Sequence, residues 1–183
     1  MAAPSQAPNW SQTRSFIRED FKRLCAAYDG GTLSRRVYWF FLPNFQAVLL
    51  YRVCRHLYLR NWRRSARLLS LAAQRLTGAE ISPAAAIGPG CLIGHAFGMI
   101  VFGSFGARCT FLGQCAAMGN GIAPGYPVVG DDVIFGIQAM ALGPVRIGNR
   151  ARLGPAAVVN RDVPDDAVVL VLPANPIRSR SGA

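Results

Sequence analysis

From Ala79 onward the hydrophobic positions recur at intervals of six. An aliphatic or aromatic side chain stands at Ile81, Ile87, Ile93, Met99, Phe105 and Phe111, with Ala117 holding the register. After a stretch rich in Gly, Asn and Pro the pattern resumes at Val129, Phe135, Ala141, Ile147, Leu153 and Val159. Glycine follows directly at positions 88, 94, 106, 130, 136, 148 and 154. Four places after each hexad start stands a small or modest residue: Ala85, Cys91, Cys109, Cys115, Val133, Ala139, Val145, Ala151 or Ala157. This period belongs neither to an amphipathic helix nor to an alternating strand, and internal repetition outranks local propensity in assigning a fold. It predicts a solenoid of short strands joined by tight turns, one hexad per face, three faces to a coil. Stacked at the ~4.8 Å strand spacing, about five coils make a prism roughly 24 Å tall. The first residue of each hexad fills the core, the glycine permits a turn conformation costly for other residues, and the small inward residue sits where the coil is crowded. Cys91 and Cys109 then fall in one internal ladder, and Cys115 takes the same place on the next face, as small buried hydrophobes.

Upstream the pattern is helical. Ile17, Phe21, Leu24 and Cys25 make a stripe over residues 14–28, ended by Asp29-Gly30-Gly31. A second helix is predicted from residue 43 or 44 to 59, burying Val48, Leu49, Tyr51 and Leu57, and a third over 61–76, stopping at Thr77-Gly78 where glycine suits a left-handed cap. The expected organisation is a flexible N-terminus (1–13), an α-helical region (14–79), the coil of hexads (80–166) and a C-terminal extension (167–183).

The chain of 183 residues is 51% hydrophobic and 16% charged, enough to bury a core. Its net charge of +11 is uneven: residues 1–79 hold 13 basic groups against Glu19, Asp20 and Asp29. The bland reading of this excess is a solvated helical face. The functional one is attraction to an anionic membrane surface or a lipid-linked substrate, helped by Trp10, Trp39, Phe40, Phe41 and Trp62. No basic-aromatic module points to nucleic acid. The longest apolar run, residues 37–53, is interrupted by Pro43, Asn44, Gln46 and Arg52, so a membrane span is not expected. Without a secretory signal, and with five cysteines lacking C-x-x-C spacing, the chain reads as a cytoplasmic protein with reduced thiols. His56 and His95 are the only histidines, which excludes a three-histidine metal site within one chain.

The run Glu80-Ile-Ser-Pro-Ala-Ala-Ala-Ile-Gly-Pro-Gly-Cys-Leu-Ile-Gly-His95-Ala-Phe-Gly resembles the signature stretch of serine acetyltransferases and related sugar O-acetyltransferases. The similarity continues through Tyr126-Pro-Val-Val-Gly-Asp-Asp-Val-Ile-Phe-Gly, Leu142-Gly-Pro-Val-Arg-Ile-Gly-Asn and Val159-Asn-Arg-Asp-Val-Pro to Leu172-Pro-Ala-Asn-Pro-Ile-Arg178. The resemblance implies a mainly β fold, a left-handed parallel β-helix of hexapeptide repeats preceded by an α-helical region. It implies acetyl-CoA as co-substrate, no metal, and a homotrimer with the donor in a groove between neighbouring β-helices.

Acyl transfer to a hydroxyl needs a group to take its proton, and an imidazole with a pKa of ~6.5 is suited to that near neutrality. The resemblance assigns this role to His95 and gives Glu80, where the family has aspartate, the task of orienting the ring. It places acetyl-CoA against Gly119, Gly136, Ile137, Gly154 and Pro155, with Arg161 and Arg178 as phosphate partners. Ile137, Pro155 and Val171 replace small residues usual in that groove. Gly94 replaces the aspartate that meets the amino acid in serine-specific members, and Gly121-Ile-Ala-Pro-Gly-Tyr126 lacks their Arg-His pair. The expected reaction is therefore acetyl transfer to a small-molecule or glycan acceptor, first a sugar of an exopolysaccharide or lipid-linked precursor. Serine O-acetylation for cysteine biosynthesis and a non-catalytic β-helix scaffold stand as alternatives. A carbonic anhydrase of the same fold fails for want of histidines.

Overall fold

In a computed structural model, residues 9–28 and 32–171 are described. Four helices come first: α1 (Trp10–Ala27), α2 (Leu33–Phe40), α3 (Pro43–Leu59) and α4 (Arg63–Thr77). The Asn9 side chain caps α1 by accepting from the Ser11 N–H at 3.4 Å. Residues 10–13, expected to fray, are thus its first turn, while residues 1–8 and 172–183 lie outside the described residues. The sequence pattern did not predict α2. This helix buries Trp39, which joins Leu24, Cys25 and Phe45 in a small core of its own. Pro43 opens α3, and Gly78 ends α4 at φ 73°, with its N–H donating to Gln74 O at 2.8 Å.

The remainder is a three-faced parallel β-helix. The first face stacks β1 (Glu80–Ile81), β4 (Ile100–Val101), β7 (Ala116–Met118), β10 (Met140–Leu142) and β13 (Val158–Val159). The second stacks β2 (Ala86–Ile87), β5 (Ser104–Phe105), β8 (Val128–Val129) and β11 (Arg146–Ile147), extended by a bridge from Ile147 to Val163. On the third are β3 (Leu92–Ile93), β6 (Thr110–Phe111), β9 (Ile134–Phe135), β12 (Arg152–Leu153) and β14 (Val168–Val169). The inward ladders form one core, in which Phe105, Phe111 and Phe135 pack ring on ring and Cys91, Cys109 and Cys115 are buried.

Two expectations about the repeat need correction. The first-face ladder runs Ile81, Val101, Ala117, so Val101 and not Met99 holds the register. Met99 is buried too, but it lies before the strand. The two extra residues pass through the turn at residues 94–99, and a short corner before β5 restores the phase. That corner requires Gly103, whose φ is 110° and whose added Cβ would lie 2.3 Å from Pro127 O. The second correction concerns the glycines that follow the core residues. Gly88 and Gly136 do not adopt positive φ; the left-handed residue comes two places later, at Gly90 and Gln138. These glycines are needed because the coils touch there: a Cβ on Gly88 would lie 2.6 Å from Gly106 O, and one on Gly136 would lie 2.7 Å from Leu153 O.

The first coil has no strand below it, so its outward carbonyls need donors from elsewhere. The helices supply them. Tyr51 donates to Ala85 O at 2.8 Å, Arg23 to Gly90 O at 2.6 Å, and Asn44 to Ile93 O at 3.1 Å. Arg52 donates to Ile87 O and, at 2.7 Å, to Gly88 O; it also pairs with Asp20 at 2.8 and 3.0 Å, fully buried. Arg55 reaches Ala84 O at 2.8 Å. Part of the basic excess is therefore a cap on the open end of the β-helix, not a solvated or lipid-facing surface. Among the described residues no helix is long and apolar enough to cross a membrane.

Candidate active site

His95 lies on the edge where the third face turns into the first, within the segment lengthened by two residues. Its N–H donates to Leu112 O at 3.1 Å, tying the turn to the second coil. The ring is exposed, and its side chain makes no hydrogen bond or ion pair among the described residues. Directly beyond it lies Gly113, where a Cβ would come within 3.2 Å of His95 Cβ. Higher on the same edge come Gly136-Ile137 and Gly154-Pro155. The stack is tied by Gln138 N–H to Gly113 O at 2.9 Å and by Ala156 N–H to Ile137 O at 2.8 Å. At the strand spacing, three coil steps put Pro155 about 14 Å from His95 along the edge. The structure thus gathers His95, Gly136, Ile137, Gly154 and Pro155 into one strip, with Phe97 and Ile137 exposing apolar surface beside it.

The other expected residues fall elsewhere. Glu80, in β1, is half-buried and accepts from Gln74 Nε2 at 3.5 Å. Its carboxylate lines a groove of about 410 Å³ with Arg63, Arg67, Ser70 and Phe102. His95 lines a different groove of about 530 Å³ with Tyr28, Asn44, Arg75, Leu76 and Phe97. The first groove runs along α4 from Arg63 to Gln74 and the second lies at its last turn, and no hydrogen bond joins Glu80 to His95 among the described residues. Gly119 follows β7 and Arg161 follows β13, both on the edge between the first and second faces. One chain does not bring that edge to His95. Arg178 lies outside the described residues.

All five cysteines are buried. Burial pushes Cys54 and Cys109 up to about 11 and raises Cys91 and Cys115 as well, so all four stay protonated near neutrality. His56, read from the sequence as a partly buried helix residue, is buried in α3. Its Nδ1 shares a hydrogen bond of 3.1 Å with Thr13 Oγ1, and its ring meets Trp10 edge-on at 4.8 Å. Burial and the nearby Arg60 hold its pKa below the ordinary value. No cluster of three metal-ligating side chains occurs among the described residues. Two neighbours of His95 were not among the candidates read from the sequence: Gly113, one coil away and so signalled by its spacing, and Arg75, which nothing in the sequence placed there.

No protein-family model matches the chain. It is 36% identical over 144 residues to the serine acetyltransferase of Synechococcus elongatus, covering 76% of this chain and 59% of that protein. To the serine acetyltransferase of Mycobacterium tuberculosis it is 38% identical over 146 residues, covering 75% and 62%. To that of Helicobacter pylori it is 33% identical over 131 residues, covering 67% and 74%. The chain spans about three fifths of the length of the first two. Among solved structures, Neisseria gonorrhoeae serine acetyltransferase in complex with serine matches at TM-score 0.79 and 27% identity, over 91% of this chain and 69% of that one. The soybean apoenzyme matches at TM-score 0.79 and 29% identity, over 89% and 68%. A left-handed β-helix behind a helical region is the fold the chain shares with them.

Proposed function

The chain belongs to the serine acetyltransferase family, and on that premise we propose that it transfers an acetyl group from acetyl-CoA to an acceptor hydroxyl, with His95 as general base. The observation that carries this reading is the strip of one exposed, unpartnered imidazole and small-residue turns on a single prism edge. The acceptor hydroxyl gives its proton to His95 as its oxygen attacks the thioester carbonyl. A backbone N–H at the edge stabilises the resulting oxyanion. Collapse expels the CoA sulfur, which takes the proton back from the imidazolium. Transfer is direct, since all five cysteines are buried and none is exposed to form an acyl-enzyme. Glu80 is the positioning residue proposed for the ring, a role that requires its carboxylate to leave Gln74, which it holds at 3.5 Å in this structure.

Serine is the first acceptor to test, because the matched relatives are serine acetyltransferases and one is solved with serine. The exopolysaccharide or lipid-linked sugar is the second reading. It is favoured by Gly94, which sets no carboxylate beside His95 to meet an ammonium group. Gly119 and Arg161 reach the donor when the edge that bears them in one copy faces the His95 edge of another, as in the expected homotrimer. Peripheral membrane contact rests on α2 and the residue after it, where Leu33, Val37, Tyr38 and Phe41 are exposed beside Arg35. The buried thiols suit a reducing cytoplasm.

The test is release of CoA from acetyl-CoA in the presence of serine, free sugars or nucleotide sugars. Turnover with one of these, without acetylated protein in the mass spectrum, is expected. An absence of CoA release together with no thermal protection by acetyl-CoA overturns the reading in favour of a scaffold.

A further inference from the structure

The groove beside His95 carries a guanidinium as well as the imidazole. The residues along it offer apolar walls, mainly Leu42, Leu76 and Phe97, and, apart from the Tyr28 hydroxyl, neutral polar side chains that are already engaged. Asn44 donates to Ile93 O and Gly94 O at 3.1 and 3.2 Å, and the Thr77 hydroxyl donates to Ala73 O at 2.8 Å. Arg75 differs. It is exposed in the last turn of α4 and makes no ion pair or hydrogen bond from its side chain among the described residues. Other arginines have work elsewhere: Arg23, Arg52 and Arg55 cap the first coil, and Arg108 and Arg150 pair with Asp132 and Asp166.

Arg75 is also held in place relative to His95. Gly78, three residues after Arg75, accepts from the N–H of Gly98, three residues after His95, at 2.9 Å. Phe97 packs so closely on Gly78 that a Cβ there would lie 2.6 Å from its ring. The last turn of α4 and the His95 turn are therefore locked edge to edge, and their two free polar heads line one groove. A guanidinium offers paired donors to a planar oxyanion, and a carboxylate matches that fork in shape and charge.

We infer that Arg75 is the residue that binds the carboxylate of a hydroxyl-bearing acid acceptor and thereby sets its hydroxyl against His95. This rests on the acetyl-transfer reading and narrows its acceptor. An amino acid such as serine satisfies it, and so does a hydroxy acid without an amino group.

The test uses the full chain. Acetyl transfer is measured with L-serine and L-serinamide, which keeps the hydroxyl and lacks the anion, in the wild type, Arg75→Gln and Arg75→Lys. The wild type is expected to favour serine by about ten- to hundredfold in kcat/KM, the scale of a hydrogen bond to a charged group. Arg75→Gln is expected to collapse that ratio toward one, mainly through KM, and Arg75→Lys to restore part of it. Equal ratios in the wild type and Arg75→Gln overturn the assignment. A second arm needs no turnover: L-serine and glycerate are titrated while the His95 ring is followed by NMR, its signal identified by its loss in His95→Ala. Movement with either acid in the wild type but not in Arg75→Gln supports the site, and movement with serine alone restricts it to amino acids. No movement with either acid overturns it. A chain that binds these acids and transfers nothing keeps the anion site and loses the acetyl-transfer reading. A chain that acetylates only neutral hydroxyls does the reverse.

Discussion

Replacing Arg52 by methionine removes the central member of the cap on the β-helix while keeping most of its volume. In the wild type its guanidinium serves Asp20 at 2.8 and 3.0 Å, Gly88 O at 2.7 Å and Ile87 O. Without it the Asp20 carboxylate stays buried with only backbone N–H donors, from Cys91 at 2.8 Å and from Gly90. Breaking a buried ion pair from one side costs about 3–5 kcal/mol, and each carbonyl left dry adds about 1–3 kcal/mol. The contributions overlap. Burial already pushes the Asp20 carboxyl up against the pull of Arg52, so the variant escapes part of the cost by taking up a proton. A net loss of about 4 kcal/mol is expected, which at roughly 2–4 °C per kcal/mol for a chain of this size lowers Tm by about 8–16 °C. Thermal and urea denaturation should be followed by circular dichroism at one protein concentration, because assembly raises apparent stability. Adding Asp20→Asn removes the stranded charge while keeping an acceptor for Cys91, so the double variant should be about 1–3 kcal/mol more stable than the sum of the single losses. A single variant within about 1 kcal/mol of wild type, with strict additivity in the double, would refute the cap.

Other expectations follow from the same coordinates. Gly113→Ala sets a methyl 3.2 Å from His95 Cβ and puts an L side chain at φ 158°; it should lower kcat several-fold by displacing the ring and also cost about 1–3 kcal/mol of stability. Gly103→Ala combines a φ of 110° with a Cβ 2.3 Å from Pro127 O, and should cost about 2–4 kcal/mol in urea denaturation. His56 has a folded pKa below its ordinary value, so the unfolded chain takes up the proton first. Its contribution is full above about pH 6.5 and is lost as pH falls through that value toward the folded pKa. Urea midpoints should therefore drop between pH 7.5 and 5.5 by more in the wild type than in His56→Asn.

The three faces and most of the inward ladder could be read from the hexads, because stacking repeats the same steric demand coil after coil. The register of the second coil could not. Met99 and Val101 share a parity and are both buried, and only the pairing of Ile100 with Glu80 and Ala116 selects Val101. The cap was hidden for a different reason: an arginine at helical spacing looks solvated until carbonyls from 35 or 36 residues away, Ile87 and Gly88, arrive beside it. In α2 only Trp39 is buried, too little for a periodic signal. That His95 lies at an exposed turn and not in the core was legible from its place two after Ile93. That its edge also carries Gly136 and Gly154, while Gly119 and Arg161 fall on another, depends on how many residues each corner consumes, and those corners are irregular.

Single-turnover transfer from acetyl-CoA to L-serine, compared between the wild type and a folded His95→Ala protein, bears most directly on the central claim. A general base contributes about 10²- to 10⁴-fold, so the variant should lose at least a hundredfold in rate while its β-helix melts as before. Equal rates in the two proteins would remove the imidazole from the chemistry, and with it the reading of that prism edge as the site of transfer.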